Sequence, residues 1–221
     1  MVSLSKNLKN IQEEVNKISS SEVKIVAVTK NRDVSLINEL ISIGVTDIAE
    51  NYLDEAILKF PLLIGSVKKH FIGPIQSNKV KKIVENFDLI QSVSRLKIAK
   101  LIDKYSLEMN KIMPILIQIN ISQEDTKSGV PFEEVEKFIS EIQELKNIKV
   151  IGIMTIGSRE NYLKEFWQMK GLFDSLALKG YFMKILSMGM SEDYIDAVKS
   201  GSNMIRLGRI LFDDININST K

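Results

Sequence analysis

Residues 23–44, VKIVAVTKNRDVSLINELISIG, contain one complete strand-and-helix unit whose pattern the rest of the chain repeats. Residues 23–28 are a β-branched apolar run with the length of a buried strand. Residues 34–43 have apolar side chains at helical spacing and stop at Gly44, a residue type that favours the position after a helix. The unit therefore predicts a strand followed by an amphipathic helix.

The same alternation continues to the end of the chain and predicts eight strands. They are residues 23–28, 47–50, 70–73, 89–93, 113–120, 150–156, 185–188 and 204–207. A helix is predicted after each strand but the last, and another at residues 4–18 precedes the first. The helix after the fifth strand is predicted to have Pro131 in its first turn, because proline is tolerated there.

This order predicts an α/β fold with a parallel sheet and crossover helices. Eight units indicate closure into a (β/α)8 barrel of the TIM type, with an extra N-terminal helix. The alternative is an open doubly wound sheet. That fold usually has a glycine-rich fingerprint after its first strand, and residues 28–31, VTKN, have none. Nothing resembling a linker divides residues 1–221, so a single domain is expected.

Composition excludes several kinds of site. The chain has no cysteine, which excludes disulfides and thiolate chemistry. Its one histidine, His70, excludes a multi-histidine metal site, and a satisfied core histidine is the favoured interpretation. A net charge of +2 is too small to indicate nucleic-acid binding. With no apolar signal segment and no run of membrane-spanning length, a cytoplasmic protein is expected.

Chemistry in barrel enzymes lies at the C-terminal ends of the strands, and phosphate sites often use the last two turns. Those turns are residues 187–191, SMGMS, and 206–209, RLGR. They supply hydroxyls, glycines that allow close approach, backbone N–H groups and a positive charge. Two ordinary turns with capping residues are the alternative.

Lys30 ends the first predicted strand. A lysine in that place is usually solvated, whereas a Schiff-base lysine needs burial or a neighbouring cation. Combined with a phosphate site, however, it favours a ligand that carries both an aldehyde and a phosphate. Pyridoxal 5'-phosphate (PLP) fits, and so does the substrate of a Schiff-base aldolase. Lys127, in a polar loop, is a second candidate amine.

Several short motifs together resemble the YggS/PROSC family of pyridoxal phosphate homeostasis proteins. The combination of HFIGPIQSN at 70–78 with LSMGMS at 186–191 is the most specific part. The others are VAVTK at 26–30, ENY at 50–52, QINI at 118–121, KSG at 127–129 and RLG at 206–208. The resemblance covers residues 23–212. It implies the barrel fold of the alanine racemase N-terminal domain.

The resemblance also implies a set of cofactor-binding residues. These are Lys30 as the Schiff-base lysine, Ser187, Gly208 and Arg209 at the phosphate with backbone near Met188 and Gly189, Asn51 and Met154 near the ring, and Arg206 facing the pyridine nitrogen. Arginine stays protonated, so it can donate to an unprotonated ring nitrogen but cannot stabilise a pyridinium. The ring would then be a poorer electron sink.

The chain departs from the family pattern at three places. Residues 31–33, NRD, follow the lysine where family members often have threonine and a nearby proline. Arg209 stands where threonine or serine often follows the glycine. Asp213 stands where glycine commonly follows the final phenylalanine.

Three functions stay open at this stage. The first, which we expect, is a non-catalytic PLP protein that buffers the cofactor inside the cell and delivers it to apoenzymes. The second is a PLP-dependent racemase or similar enzyme. The racemase needs a second domain with a catalytic tyrosine, and this sequence stops soon after its last predicted strand. The third is an aldolase without cofactor. A monomer is expected, without membrane or nucleic-acid partners.

Overall fold

The strands of this protein form one continuous parallel sheet in a computed structural model that describes residues 3–124 and 128–213. Within those residues the strands are β1 Lys24–Val28, β2 Asp47–Glu50, β3 Lys68–Phe71, β4 Leu89–Val93, β5 Met113–Asn120, β6 Val130–Pro131, β7 Ile148–Thr155, β8 Ile185–Ser187 and β9 Met204–Leu207. The helices are α1 Leu4–Ile18, α2 Val34–Ser42, α3 Leu53–Lys59, α4 Val80–Asn86, α5 Leu96–Glu108, α6 Val135–Ile142, α7 Tyr162–Leu178, α8 Tyr194–Lys199 and α9 Arg209–Phe212.

The sheet closes on itself. The strands follow the order β4-β3-β2-β1-β9-β8-β7-β5, and β4 pairs in turn with β5. All eight pairings are parallel, and β6 adds only two residues beside the end of β5. The predicted (β/α)8 barrel with its extra N-terminal helix is therefore confirmed.

Alternation along each strand divides the core into two layers. On β1, Val26 and Val28 join Leu116 and Met204 in a small cluster inside the barrel. Ala27, between them in sequence, faces outward into the larger layer under the helices. Because both faces of every barrel strand are covered, the strands need apolar residues on both sides. This explains why they appear in the sequence as short continuous apolar runs.

The third strand lies two residues earlier in the chain than the sequence predicts. The third strand was expected at residues 70–73, but β3 is Lys68–Phe71. Lys68 and Lys69 pair with Asp47 and Ile48 despite their charge, so an apolar pattern cannot find the start of the strand.

The helical first turn predicted at Pro131 is wrong. Pro131 lies in β6 with φ −53° and ψ 141°, next to Asn120 of β5. A short 3-10 turn, Phe132–Glu134, follows, and α6 begins at Val135. Proline lacks only the N–H donor, so an edge strand accommodates it as readily as a helix start does.

Helix α1 packs against α8 and α9, beside the last strands of the barrel. Its Asn7 side chain donates to the Leu211 carbonyl oxygen at 3.0 Å, which ties α1 to α9. Over the two described ranges, no helix has the length and apolar character needed to cross a membrane.

Candidate functional site

Lys30 lies in the turn directly after β1, at the C-terminal mouth of the barrel, and its side chain is exposed. The turn is tight: the Arg32 N–H donates to the Thr29 carbonyl oxygen at 3.1 Å. Asn31 has φ +58°, a left-handed conformation that asparagine tolerates better than most residues. The backbone next to Lys30 thus has a defined shape while the amine stays accessible.

A buried ionic cluster fixes the residue before Lys30. The Thr29 hydroxyl donates to Glu50 Oε1 at 2.6 Å. Lys59 Nζ donates to the Thr29 carbonyl oxygen at 2.7 Å and to Glu50 Oε1 at 3.1 Å. Burial raises the pKa of Glu50, against the hydrogen bonds from Thr29 and Lys59 that favour its charged form. We call Thr29, Glu50, Glu55 and Lys59 the Lys59 cluster.

The same cluster fixes the residue after Lys30. Glu55 Oε1 accepts from Lys59 Nζ at 2.5 Å and from the Asn31 N–H at 2.6 Å. Lys30 is therefore held between two anchored neighbours. Sequence analysis missed this support, although Glu55 and Lys59 stand four apart on a helix, a spacing that favours ion pairs.

Arg206 lies on β9 with only 3% of its surface exposed. Its Nη1 donates to Ser187 Oγ and its Nη2 to the Thr155 carbonyl oxygen, both at 2.7 Å. Burial lowers the pKa of Arg206 to about 10, and the charge of Asp193 opposes that shift. The guanidinium therefore stays protonated at neutral pH, as a buried donor aimed across the last strands.

The Ser187 hydroxyl begins a series of buried polar contacts through the barrel interior. It donates to Gln91 Oε1 at 2.7 Å, and Gln91 Nε2 lies 2.8 Å from His70 Nδ1. His70 Nε2 lies 3.1 Å from Asp47 Oδ1. We call Asp47, His70, Gln91, Ser187 and Arg206 the interior polar chain. His70 is 1% exposed, which confirms a buried, hydrogen-bonded histidine.

Asp47 gives the interior polar chain a measurable pH dependence. Burial acts to raise the pKa of Asp47, but hydrogen bonds from His70 and Thr46 outweigh it, so the pKa falls below the ordinary 3.8. A carboxylate with a lowered pKa stabilises the fold above its unfolded pKa and loses that contribution as the pH falls through the folded value.

We therefore expect Asp47→Asn to lower the free energy of unfolding at neutral pH by about 1–3 kcal/mol. Below about pH 4, the wild type should lose stability more steeply than the variant. Urea denaturation at several pH values measures both effects. Parallel curves for the two proteins through the acid range would show that Asp47 carries no such linkage.

The turn after β8 packs tightly under α8. Gly189 has φ +97°, and a Cβ there would lie 2.5 Å from the Cβ of Ala197. Met188 is fully buried in the outer core, and its N–H donates to the Met204 carbonyl oxygen at 3.1 Å. Glycine is required at 189 for both conformation and space. The Met188 amide is already used within the fold.

The turn after β9 meets both the β8 turn and the end of the first strand, β1. The Ile210 N–H donates to Ser191 Oγ at 3.3 Å. A Cβ on Gly208 would lie 3.6 Å from the Val28 carbonyl oxygen, so this turn is next to the end of β1. Gly208 precedes α9, whose first N–H groups have no acceptor within the helix. The Arg209 side chain is exposed and pairs with Glu192 at 2.5 Å.

Two residues that depart from the family pattern contact each other. Arg32 Nη2 lies 2.7 Å from Asp213 Oδ1, and the Arg32 guanidinium lies 4.9 Å from the Phe212 ring centre. This ion pair joins the Lys30 turn to the end of α9. The arginine and the aspartate each replace the expected residue type, but together they connect the two parts of the mouth.

Asn51 follows β2 and lines a cavity of about 250 Å3 at the mouth, with Ile72, Pro74, Gln118, Ile119, Asn120, Ser128 and Ile156. Its Oδ1 atom is buried and has no hydrogen-bond partner among the residues that the structure describes. Met154 is 1% exposed inside the barrel, in register with Gln118 on one side and Ser187 on the other. Asn51 therefore combines a place on the cavity wall with an acceptor atom that the described residues leave unpaired.

The predicted cofactor-binding residues thus fall into two groups, one at the mouth of the barrel and one buried below it. Lys30, Asn51, Gly208 and Arg209 lie at the mouth, whereas Met154, Ser187, Met188 and Arg206 are buried below it. The Ser187 hydroxyl already serves Gln91 and Arg206, so its phosphate role stays a prediction. Lys127 lies outside the described residues. Those residues hold no cluster of three or more His, Asp or Glu side chains that could bind a metal ion.

Comparison with known proteins identifies the lineage of this barrel. Residues 2–215 match the family model of the alanine racemase N-terminal domain. A pyridoxal phosphate homeostasis protein of Synechocystis is 39% identical over 202 residues, covering 87% of this chain and 91% of the relative. The counterpart in Escherichia coli K12 is 36% identical over 203 residues, covering 88% and 86%.

Solved structures agree with the sequence relatives. PipY of Synechococcus elongatus with PLP bound superposes with a TM-score of 0.86 at 26% identity, covering 96% of this chain and all of that one. The chain therefore shares the PipY fold over nearly its whole length.

Proposed function

This chain belongs to the pyridoxal phosphate homeostasis protein family and has the alanine racemase N-terminal domain, and we propose that it binds PLP. Its role would be to buffer the cofactor in the cytoplasm and to deliver it to apoenzymes. The PLP bound to PipY and the names of the relatives support the choice of ligand. When bound, PLP supplies an aldehyde that condenses with amines and a ring that withdraws electrons.

The residues at the mouth fit this cofactor. Lys30 supplies an accessible amine for the aldehyde, as a Schiff base. Asn51 borders the cavity, and its Oδ1 atom, which has no partner among the described residues, would receive a donor from the ligand. Arg206 would donate to the ring nitrogen, and Gly208 and Arg209, with backbone at Gly189, would hold the phosphate. Met154 would pack near the ring from inside the barrel.

The observation that carries the proposed carrier role is the exposure of Lys30 on a turn whose neighbours are anchored. Catalysis on a reactive carbanion benefits from a closed site that excludes water. An exposed amine instead allows the cofactor to be released or passed to another protein. A donor-only arginine at the ring nitrogen also weakens electron withdrawal by the ring. We therefore propose that the protein is a non-catalytic carrier. As a separate proposal, it acts as a monomer.

A racemase is the second candidate, because the matching domain model is that of alanine racemase. Racemisation needs a proton donor and acceptor on opposite faces of the α-carbon. Tyr52, the residue before α3, is the tyrosine that sequence analysis placed near the pocket, and it is 54% exposed. Such a solvated position is poorly suited to a catalytic acid.

Transfer of cofactor tests the carrier function. We expect PLP-loaded protein, freed of unbound PLP by gel filtration, to restore the activity of an apo-form PLP enzyme in stoichiometric amounts. The same preparation should racemise L-alanine no faster than free PLP does. Activity recovery and circular dichroism of the alanine measure the two outcomes.

Lys30→Ala carried through the same loading and filtration is the matched control, and it should restore no activity. Rapid turnover of alanine by the wild type would instead establish the racemase. Loaded protein that never releases PLP to an apoenzyme would contradict delivery.

A further inference from the structure

The interior polar chain has a fixed direction of hydrogen bonding, and Arg206 sets it. A guanidinium has only donors. Arg206 Nη1 lies 2.7 Å from Ser187 Oγ, so the serine oxygen must accept there. Its single proton must then go to its other polar neighbour among the described residues, the Gln91 side chain at 2.7 Å.

The proton that Ser187 donates fixes the orientation of the Gln91 side-chain amide. The atom facing Ser187 must be the acceptor Oε1, so the Nε2 amide faces His70. A second contact agrees with this orientation, since Gln91 Nε2 also lies 3.4 Å from the sulfur of Met204, a weak acceptor. Gln91 is 0% exposed, so no solvent molecule can relax the requirement from outside.

The orientation of the Gln91 amide in turn determines which ring nitrogen of His70 carries the proton. Gln91 Nε2 donates, so His70 Nδ1, 2.8 Å away, must present a lone pair. The ring proton then sits on Nε2, which lies 3.1 Å from Asp47 Oδ1. Among the described residues, the charged group in contact with this ring is Asp47, whose Oδ2 atom lies 3.7 Å from Lys24 Nζ. These hydrogen-bond directions together assign the Nε2–H form to His70.

We propose that Gln91 and His70 are positioning residues that orient Ser187 toward Arg206 and thereby fix where Arg206 donates at the cofactor ring. The effect on Arg206 at the cofactor ring rests on the proposed PLP site, whereas the direction of the hydrogen bonds does not. Arg206 makes two bonds at 2.7 Å, to Ser187 and to the Thr155 carbonyl oxygen, and these fix the plane of its guanidinium. Among the described residues these are the hydrogen bonds that the Arg206 side chain makes, and a further N–H of the guanidinium would serve the ligand.

The first test is nitrogen NMR of the wild-type protein labelled with 15N-histidine. The chain has one histidine, so the spectrum reports His70 alone. We expect one ring nitrogen in the unprotonated range and one in the protonated range at neutral pH, with Nε2 protonated. The opposite tautomer, or an imidazolium, would overturn the proposed direction.

Gln91→Glu tests the direction from the other side. A carboxylate accepts from Ser187 and also from His70, so the ring should gain a proton on Nδ1 and become an imidazolium. Both ring nitrogens should then move into the protonated range. An unchanged neutral signal in a folded variant would contradict the role of Gln91.

The second test asks whether the chain positions the cofactor or only fills the core. Gln91→Met and His70→Leu should each weaken PLP binding by about tenfold or more and shift the visible band of the bound cofactor. His70→Gln should stay within about threefold of the wild type, because it can accept from Gln91 and donate to Asp47. Asp103→Asn is the control. It disturbs a polar contact with Asn147 at the opposite end of the barrel.

Each result has one meaning. PLP affinity and spectrum unchanged in folded Gln91→Met would reduce the chain to core packing and overturn the positioning role. A wild type that binds no PLP would defeat the proposed function, while the tautomer measurement would still decide the hydrogen-bond direction. Circular dichroism confirms folding of each variant before these comparisons are made.

Discussion

Lys30→Ala should abolish covalent retention of PLP, leaving a colourless protein beside a yellow wild type. In the proposed site, condensation of the Lys30 amine with the aldehyde would form a C=N bond and release one water, and borohydride would reduce that bond irreversibly. Without the amine, only the proposed noncovalent contacts, such as those from Asn51 and Arg206, would remain. Visible absorption, and the mass of the protein after reduction, measure the loss.

Lys127→Ala is the control for this experiment, because Lys127 is the other amine that the sequence marks as reactive. It should keep the yellow colour and one reduced cofactor on the peptide that contains Lys30. A yellow Lys30→Ala protein, with a full equivalent trapped elsewhere, would move the site. A wild type that stays colourless with PLP would defeat the cofactor proposal and favour the aldolase alternative.

Gly73→Ala should both destabilise the barrel and disrupt the proposed PLP site. A Cβ at this position would lie 1.9 Å from the carbonyl oxygen of Asn51, and the three nearest atoms all belong to the Asn51 backbone, which is not a flexible neighbour. The Gly73 carbonyl oxygen is itself held by the Ser92 hydroxyl at 2.7 Å. We expect a loss of about 3 kcal/mol or more in the free energy of unfolding.

Any Gly73→Ala protein that folds should also bind PLP more weakly, because Asn51 must move. Urea denaturation and PLP titration measure the two effects. Gly171→Ala is the matched control: this glycine lies inside α7 with open space around its Cβ position. Alanine there should raise stability by about 0.5–1 kcal/mol. Equal behaviour of the two variants would show that the contact with Asn51 relaxes freely.

The contacts that support the site are what the sequence did not predict. Lys30 was identified, but the Lys59 cluster that anchors both its neighbours was not. Gln91 offered a signal, as a single amide within the apolar strand LIQSV at 89–93. The chain itself did not reveal its partner, because Ser187 lies 96 positions away.

Ser187 shows a second limit of the sequence. Its place in the SMGMS turn predicts a contact with phosphate, which stays a prediction, but the turn does not reveal that the hydroxyl contacts Gln91 and Arg206 in the interior. Motif position tells which strand end a residue occupies. It does not tell whether the side chain points outward to the mouth or inward, because one residue of shift along a strand reverses the direction.

The amino-acid sequence alone predicts the barrel, the order of its strands and helices, and the candidate lysine. Local apolar periodicity and short motifs are properties of neighbouring residues, and those can be read along the chain. The contacts between residues distant in sequence became visible only in the folded chain: Asn51 with Gly73, Arg32 with Asp213, and Arg206 with Thr155 and Ser187. Closure of the sheet sets those contacts, since it brings together strands whose pairing and register no local pattern encodes.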